Sequence, residues 1–337
     1  MSYRRLGESN LRVSPLCLGT MMFGDQTEAP AAANIVANAR DIGVNFIDTA
    51  DVYTKGASEK MLAPLIRDER QWWVVASKLG NRMADGPNDG GYSRRWMLQS
   101  VEDSLRRLDT DYLDILYMHI DREHDSLEEP LRAMQDLIAQ GKIRYYGISN
   151  FRGWRIAEMN RIAESIGMPG PAVLQPYYNL LNRQPEVEVL PACDYFGMGV
   201  VPYSPIARGV LTGKYKPGEK PADGTRAARN DRRIMQTEWR EESLVIAQRL
   251  NEHAQQRGIT LAQFATAWVL ANDIVTSVIA GPRTLEQWQG YEGALAYQWT
   301  AQDEALVDEL VRPGHASTPG YHDPQYPFFG RRVDVVE

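Results

Sequence analysis

Eight short β-rich runs recur along the chain, most of them about thirty residues after the last, and this spacing constrains the fold more than any other feature. They read VSPLCLG from Val13, VNFIDTA from Val44, WWVVASK from Trp72, YLDILYMH from Tyr112, IRYYGISN from Ile143, AVLQPYY from Ala172, GVVPYSP from Gly199 and TSVIAG from Thr276. Most are nearly unbroken apolar stretches rather than alternations, the pattern of strands buried on both faces of a parallel sheet. Helical segments lie between them. Met97, Val101, Leu105 and Leu108 share one face, as do Leu127, Leu131, Met134 and Ile138, and also Ile156, Met159, Ala163 and Ile166. Ser126 with Glu129, and Thr284 with Gln287, have the spacing of capping boxes. Gly43, Gly141 and Gly167 stand where helices should stop. Eight such strand–helix units close a barrel, so the expected fold is α/β, a (β/α)8 TIM barrel. An open doubly wound sheet would carry Gly-x-Gly-x-x-Gly after its first strand; nothing of that kind follows Leu16 to Gly19, and Gly197-x-Gly199 lacks the third glycine.

Two regions break the rhythm. A long polar stretch, Lys214 to Arg240, precedes two helices between the seventh and eighth strands, and a tail from Arg312 is rich in Gly, Pro, His and aromatics. Loops this long in a compact domain are commonly lids or disordered segments. With 43% hydrophobic and 24% charged residues the composition excludes a disordered chain. A net charge of −7 argues against nucleic acid or an anionic membrane as main partner, while leaving room for a local basic pocket. Two cysteines, Cys17 and Cys193, exclude a disulfide framework, and five histidines without a His-Glu-x-x-His motif make a metal unexpected. No apolar run approaches the ~20 residues of a membrane span. The start, MSYRRLGESNLRVS, lacks the apolar core of a signal peptide, so a cytoplasmic location is expected.

In such a barrel chemistry belongs to the C-terminal strand ends. These carry Asp48, Lys78, His119, Ser149 with Asn150, Gln175, and Tyr203 with Ser204, and Tyr53 follows just past Asp48. Singly, each has an ordinary reading: Asp48 a helix cap, Lys78 a rim charge, His119 a semi-buried histidine, Tyr53 a loop aromatic. Their convergence on one mouth favours chemistry. An acid, a lysine, a tyrosine and a histidine suit proton delivery to a carbonyl oxygen as hydride reaches carbon. An ammonium ~4 Å from a tyrosine hydroxyl contributes about 4 kcal/mol at an effective dielectric of ~20, enough to acidify it against desolvation. Asp48 would keep Lys78 charged, and His119 would orient the carbonyl oxygen.

The chain resembles the aldo-keto reductases over nearly its whole length. GVNFIDTADVY, Gly43 to Tyr53, is similar to the family's Asp-Thr-Ala-x-x-Tyr signature; SLRRLDTDYLDILYMH, Ser104 to His119, resembles the second; GKIRYYGISNF, LQPYYNLLNR and VPYSPIARG follow in family order. The resemblance implies a catalytic set of Asp48, Tyr53, Lys78 and His119 with Tyr53 as general acid. It also implies one domain over residues 1–337, with an N-terminal hairpin at 1–13 closing the barrel bottom, the barrel at 14–312 and the tail at 313–337. The implied cofactor is NADP(H), extended across the mouth. Ser149, Asn150 and Gln175 match the carboxamide contacts, Tyr203 the nicotinamide platform, and Ser204, Ile206, Arg208 and Gly209 the pyrophosphate loop. Gly281 and Arg283 match the 2′-phosphate site with Gln287 beside them, and Gly19, Thr20 and Met21 complete the cofactor contacts. A helix start beside a guanidinium suits a phosphate. Ala280 and Pro282 replace the more usual Pro and Ala, Tyr291 stands where Asn often meets the adenine, and Ile120-Asp121 replaces a Trp-bearing stretch.

The expected function is NADPH-dependent reduction of an aldehyde or ketone. The alternative is a cofactor-bound regulatory subunit, because the ending STPGYHDPQYPFFGRRV resembles bacterial relatives nearer the potassium-channel β-subunit branch. Those relatives often assemble, which makes a homo-oligomer an expectation. The cluster Arg226, Arg229, Arg232 and Arg233 reads as a solvated loop face or, more sharply, as a lid closing on phosphates. Gly209 to Tyr215 is a poor match to a Walker loop. Tyr321, Tyr326, Phe328 and Phe329 in the tail would pack on the barrel or line its pocket. Asn81 with Arg82, and Asp121 with Arg122, point toward a polar or sugar-like carbonyl.

Overall fold

The computed structural model describes residues 1–122 and 125–327. Two short antiparallel strands, β1 (Arg4–Arg5) and β2 (Arg12–Val13), form a hairpin. Eight parallel strands follow: β3 (Leu16–Gly19), β4 (Phe46–Asp48), β5 (Val74–Leu79), β6 (Leu113–Met118), β7 (Ile143–Ser149), β8 (Val173–Gln175), β9 (Gly199–Val200) and β10 (Val278–Ala280). From β3 to β8 each pairs with its successor, and β10 pairs with β3. The remaining gap, between β9 and β10, is bridged by the Thr276 N–H to the Val200 carbonyl (2.8 Å) and the Ile279 N–H to the Pro202 carbonyl (2.9 Å). The sheet therefore closes as the spacing predicts, and all eight expected runs supply a strand.

The helices are α1 (Ala29–Asp41), α2 (Ala57–Ile66), α3 (Arg94–Leu108), α4 (Glu128–Ala139), α5 (Gly153–Ser165), α6 (Val189–Tyr195), α7 (Arg232–Thr237), α8 (Glu241–Gln256), α9 (Leu261–Ala271), α10 (Leu285–Glu292) and α11 (Ala301–Leu310). Two apolar clusters explain the unbroken strand runs. Leu16, Leu18, Ile47, Val75, Leu116 and Ile148 point outward and pack with the helices. Cys17, Phe46, Val74, Ala76, Ile115 and Tyr117 fill the barrel interior, where Leu6 and Val13 of the hairpin join them. The hairpin is thus part of the interior rather than an appendage.

The expected helix faces hold in α3 and α5, where Met97, Val101, Leu105 and Leu108, and Ile156, Met159 and Ala163, are buried. In α4 the buried face runs through Leu131, Met134 and Leu137, and Ile138 is only partly buried. Gly43, Gly141 and Gly167 all take left-handed backbone at helix ends. The two expected capping boxes do not form as such. Leu127 occupies the N-cap of α4, and the Glu129 carboxylate accepts the Arg94 backbone N–H (2.8 Å) instead. Thr284 does cap α10, but Gln287 accepts the N–H of Arg283 rather than of Thr284. Complete boxes lie at Thr260 with Gln263 and at Thr300 with Asp303. The polar stretch after β9 contains α7, a helix with no apolar periodicity to announce it.

Candidate active site

The four residues expected at the mouth come together there. Asp48 ends β4, Lys78 lies one residue from the end of β5, and His119 directly follows β6. Tyr53 opens a 3-10 turn, Tyr53–Gly56, in which Thr54 and Lys55 adopt left-handed φ of 48° and 52°. The approach to this turn is strapped to β5: the Thr49 N–H donates to the Ala76 carbonyl (2.9 Å) and the Asp51 N–H to the Lys78 carbonyl (3.1 Å). Strain of this kind persists only where surrounding contacts over-determine it.

Lys78 is fully buried and holds the group together. Its ammonium donates to Asp48 Oδ1, to the Thr49 carbonyl (2.7 Å) and to the Tyr53 hydroxyl (3.1 Å). Gln175 donates to the other Asp48 oxygen (2.8 Å). Burial works against the lysine charge, but Asp48 and then Tyr53 more than offset it, so its pKa lies above the ordinary value. The His119 ring meets the Tyr53 ring edge-on, centroids 6.0 Å apart. Burial, reinforced by the Lys78 charge, lowers His119 to about 3. It is a neutral imidazole at physiological pH, and its buried Nδ1 has no protein partner. Tyr53 departs from expectation. Burial raises its pKa and outweighs the pull of Lys78, so its surroundings do not acidify the phenol.

Beside this group lies a cleft of about 900 Å³. Gly19, Met21, Asp48, Ser149, Asn150, Gln175, Tyr203, Ser204, Ile206, Arg208, Gly209, Gly281, Arg283 and Gln287 line it. Thr20 stands behind the lining, its hydroxyl donating to the Asp48 carbonyl (3.1 Å) and facing Ser58. Asn150 and Ser204 both have left-handed φ. Asn150 donates to the His119 carbonyl (3.1 Å) and accepts from the Tyr203 hydroxyl (2.8 Å). Tyr203 rests on Tyr177, ring centroids 5.6 Å apart.

The far end of the cleft is cationic. Arg208, Lys214, Arg226 and Arg283 line it, and none forms an ion pair among the described residues. Burial and then the charges of Arg283 and Arg226 depress Lys214. Asp48 and Glu286 line the same cleft but pair with none of these four cations, which in a chain of net charge −7 suit a multiply charged anion such as a phosphorylated dinucleotide. In the sequence Lys214 stands out only as the start of a polar stretch and the end of a poor Walker-like loop. Its place here depends on chain folding that no local pattern shows.

The arginine cluster divides. Arg226 faces the cleft, and Arg229 donates to Gln26. Arg232 is exposed, and Arg233 is neutralised by both oxygens of Asp323 in the tail. From the tail, Tyr326 lines the cleft and Tyr321 lies under the Arg240 guanidinium at 3.7 Å; Phe328 and Phe329 lie outside the described residues. Asn81, Arg82, Asp121 and Arg122 do not line the cleft, and Asp121 faces Arg155 at 3.1 Å. Arg82 and Arg122 donate instead to backbone carbonyls of the loop after β5.

The sequence model of the aldo/keto reductase family matches residues 15–312. The chain belongs to that family. A probable voltage-gated potassium channel subunit beta of rice is 39% identical, over 83% of this chain and 87% of its own. An uncharacterised oxidoreductase of Bacillus subtilis is 36% identical, over 85% and 89%. The L-glyceraldehyde 3-phosphate reductase of Escherichia coli K12 is 33% identical, over 93% of both chains. Family and relatives support an oxidoreductase of small molecules. No helix among the described residues is long and apolar enough to cross a membrane.

Proposed function

We propose that this aldo/keto reductase is an NADPH-dependent enzyme reducing an aldehyde or ketone to the alcohol, reversibly, with Tyr53 as proton donor. The observation that carries the reading is the Tyr53 hydroxyl 3.1 Å from a buried ammonium, beside a neutral imidazole, at one end of a cleft whose other end is cationic. Ser149, Asn150 and Gln175 would hold the carboxamide, Tyr203 would support the ring, and Arg208, Lys214, Arg226 and Arg283 would hold the phosphates. NADPH, when bound, supplies hydride to the carbonyl carbon. The protein does the rest. Neutral His119 donates a hydrogen bond to the carbonyl oxygen, and Tyr53 gives that oxygen its proton while Lys78 stabilises the phenolate left behind. The raised pKa of free Tyr53 keeps it protonated until charge develops on the oxygen.

NADPH consumption with a reactive aromatic aldehyde tests this, comparing the parent with Tyr53→Phe. The expected result is normal NADPH binding and a rate loss of roughly 10²–10⁴, the usual worth of a positioned acid. A variant as fast as the parent removes Tyr53 from the mechanism. The likeness to a potassium channel subunit beta favours a second reading, a cofactor-bound regulatory subunit with slow turnover. Tight NADPH binding with negligible turnover across a broad carbonyl panel would select it.

A further inference from the structure

Glu238 follows α7 in the long loop between β9 and β10, fully buried. One carboxyl oxygen accepts the Tyr177 hydroxyl. The other has no partner. A carboxyl placed there costs stability, since an apolar or amide side chain would avoid the desolvation of an ionisable group. Its contacts lead to the cleft. Tyr177 carries Tyr203 on its ring and is bridged to it through the backbone. The adjoining Thr237 accepts from Arg208 (3.1 Å), whose guanidinium lies 5.8 Å from the Tyr177 ring. One helical turn away, Arg233 grips Asp323 of the tail. A single short segment thus ties together the aromatic platform, a phosphate-end cation and the tail.

We propose that Glu238 is a positioning residue that, as a neutral acid, anchors the loop to the barrel mouth through Tyr177 and so sets Tyr203 and Arg208 for the cofactor. This rests on the cleft being the nicotinamide cofactor site. The charged and titratable groups facing the carboxyl are Tyr177 from the segment after β8, Arg240 on its own segment, and Asp323 and Tyr321 from the tail. Burial pushes Glu238 up to about 8, Arg240 pulling it down and Asp323 pushing it further up. Below that pH the neutral carboxyl leaves one hydroxyl unpaired. As pH rises toward 8 an open loop would ionise and solvate the carboxyl while the closed one cannot, so closure weakens through that window and levels off above it.

The test is NADPH binding by fluorescence titration from pH 7 to 9, comparing the parent with Glu238→Gln, which keeps the acceptor for Tyr177 and cannot ionise. Hydrogen exchange of residues 231–240 in the ligand-free protein, corrected for the intrinsic pH dependence, is measured alongside. If binding requires the neutral acid, the parent Kd rises about tenfold over that range and the Gln variant stays flat. Loop protection in the parent then falls as pH rises to about 8 and levels off above it, while the variant keeps it. A Gln variant that follows the parent's pH dependence places the titrating group elsewhere, Lys214 first, and overturns the proposal. So does a parent whose Kd and loop protection are flat. A parent that binds no NADPH overturns the cofactor reading instead, and loop exchange then decides Glu238 by itself.

Discussion

The buried Lys78–Asp48 pair is where one residue's chemistry depends most on another. With Asp48 gone, the ammonium keeps only the Thr49 carbonyl and the Tyr53 hydroxyl as partners. Breaking a buried pair from one side costs about 3–5 kcal/mol, because an uncompensated charge is left behind. Asp48→Asn should lower the urea midpoint accordingly, and Asp48→Asn with Lys78→Met should recover part of the loss. A double variant as unstable as the sum of the two singles would show that the pair is not coupled. His119 gives a prediction with the opposite pH sense. Its folded pKa, about 3, lies below the ordinary 6.5, so above 6.5 neither state binds this proton. As pH falls below 6.5 the unfolded chain protonates and the folded one does not, so this residue removes stability on the acid side. Proton NMR between pH 5 and 8 should show an imidazole that does not titrate, and His119→Asn should delete that signal.

At the scale of elements, the hairpin β1–β2 is the part most easily mistaken for decoration. Leu6 is wholly buried in the barrel interior with Val13, Cys17 and Phe46. Leu6→Ala should therefore cost about 2–5 kcal/mol in equilibrium denaturation, as for any core leucine. A loss under about 0.5 kcal/mol, the size of a surface substitution, would mean that the hairpin does not fill the barrel. The elements also show what was legible in the sequence. The eight strands were, because burial on both faces writes an apolar run that no other element of that length shares. The motif-bearing ends Asp48, Lys78 and His119 were, because strand ends fix their direction. The capping spacing at Ser126 and Glu129 misled, because Glu129 finds the Arg94 N–H, a partner far away in sequence. Nothing in residues 214–240 announced α7 or Glu238, whose partners Tyr177, Arg208 and Asp323 come from three other parts of the chain.

For the molecule as a whole, the distribution of charge matters more than its total. The chain carries −7, yet Arg208, Lys214, Arg226 and Arg283 sit in one cleft and none of them is ion-paired among the described residues. At long range the protein repels an anionic ligand, and inside the cleft it attracts one; salt weakens both, over a Debye length of about 10 Å at 0.1 M. The two effects separate when two ligands differ by a single phosphate. NADPH and NADH share every other contact, so the ratio of their affinities isolates the cationic end of the cleft. Raising ionic strength from about 0.05 to 0.5 M should shrink that ratio, because exposed attractions at this range are screened while the shared ring contacts are not. Arg283→Met should lower the ratio at low salt and flatten its salt dependence, leaving NADH affinity nearly as it was. Arg283 lies beside Gln26, with its own N–H donated to Gln287, so removing the guanidinium does not unfasten the start of α10. A ratio independent of salt in the parent would mean that Arg283 does not meet the 2′-phosphate, and that any NADP preference arises from the shape of the pocket around Tyr291.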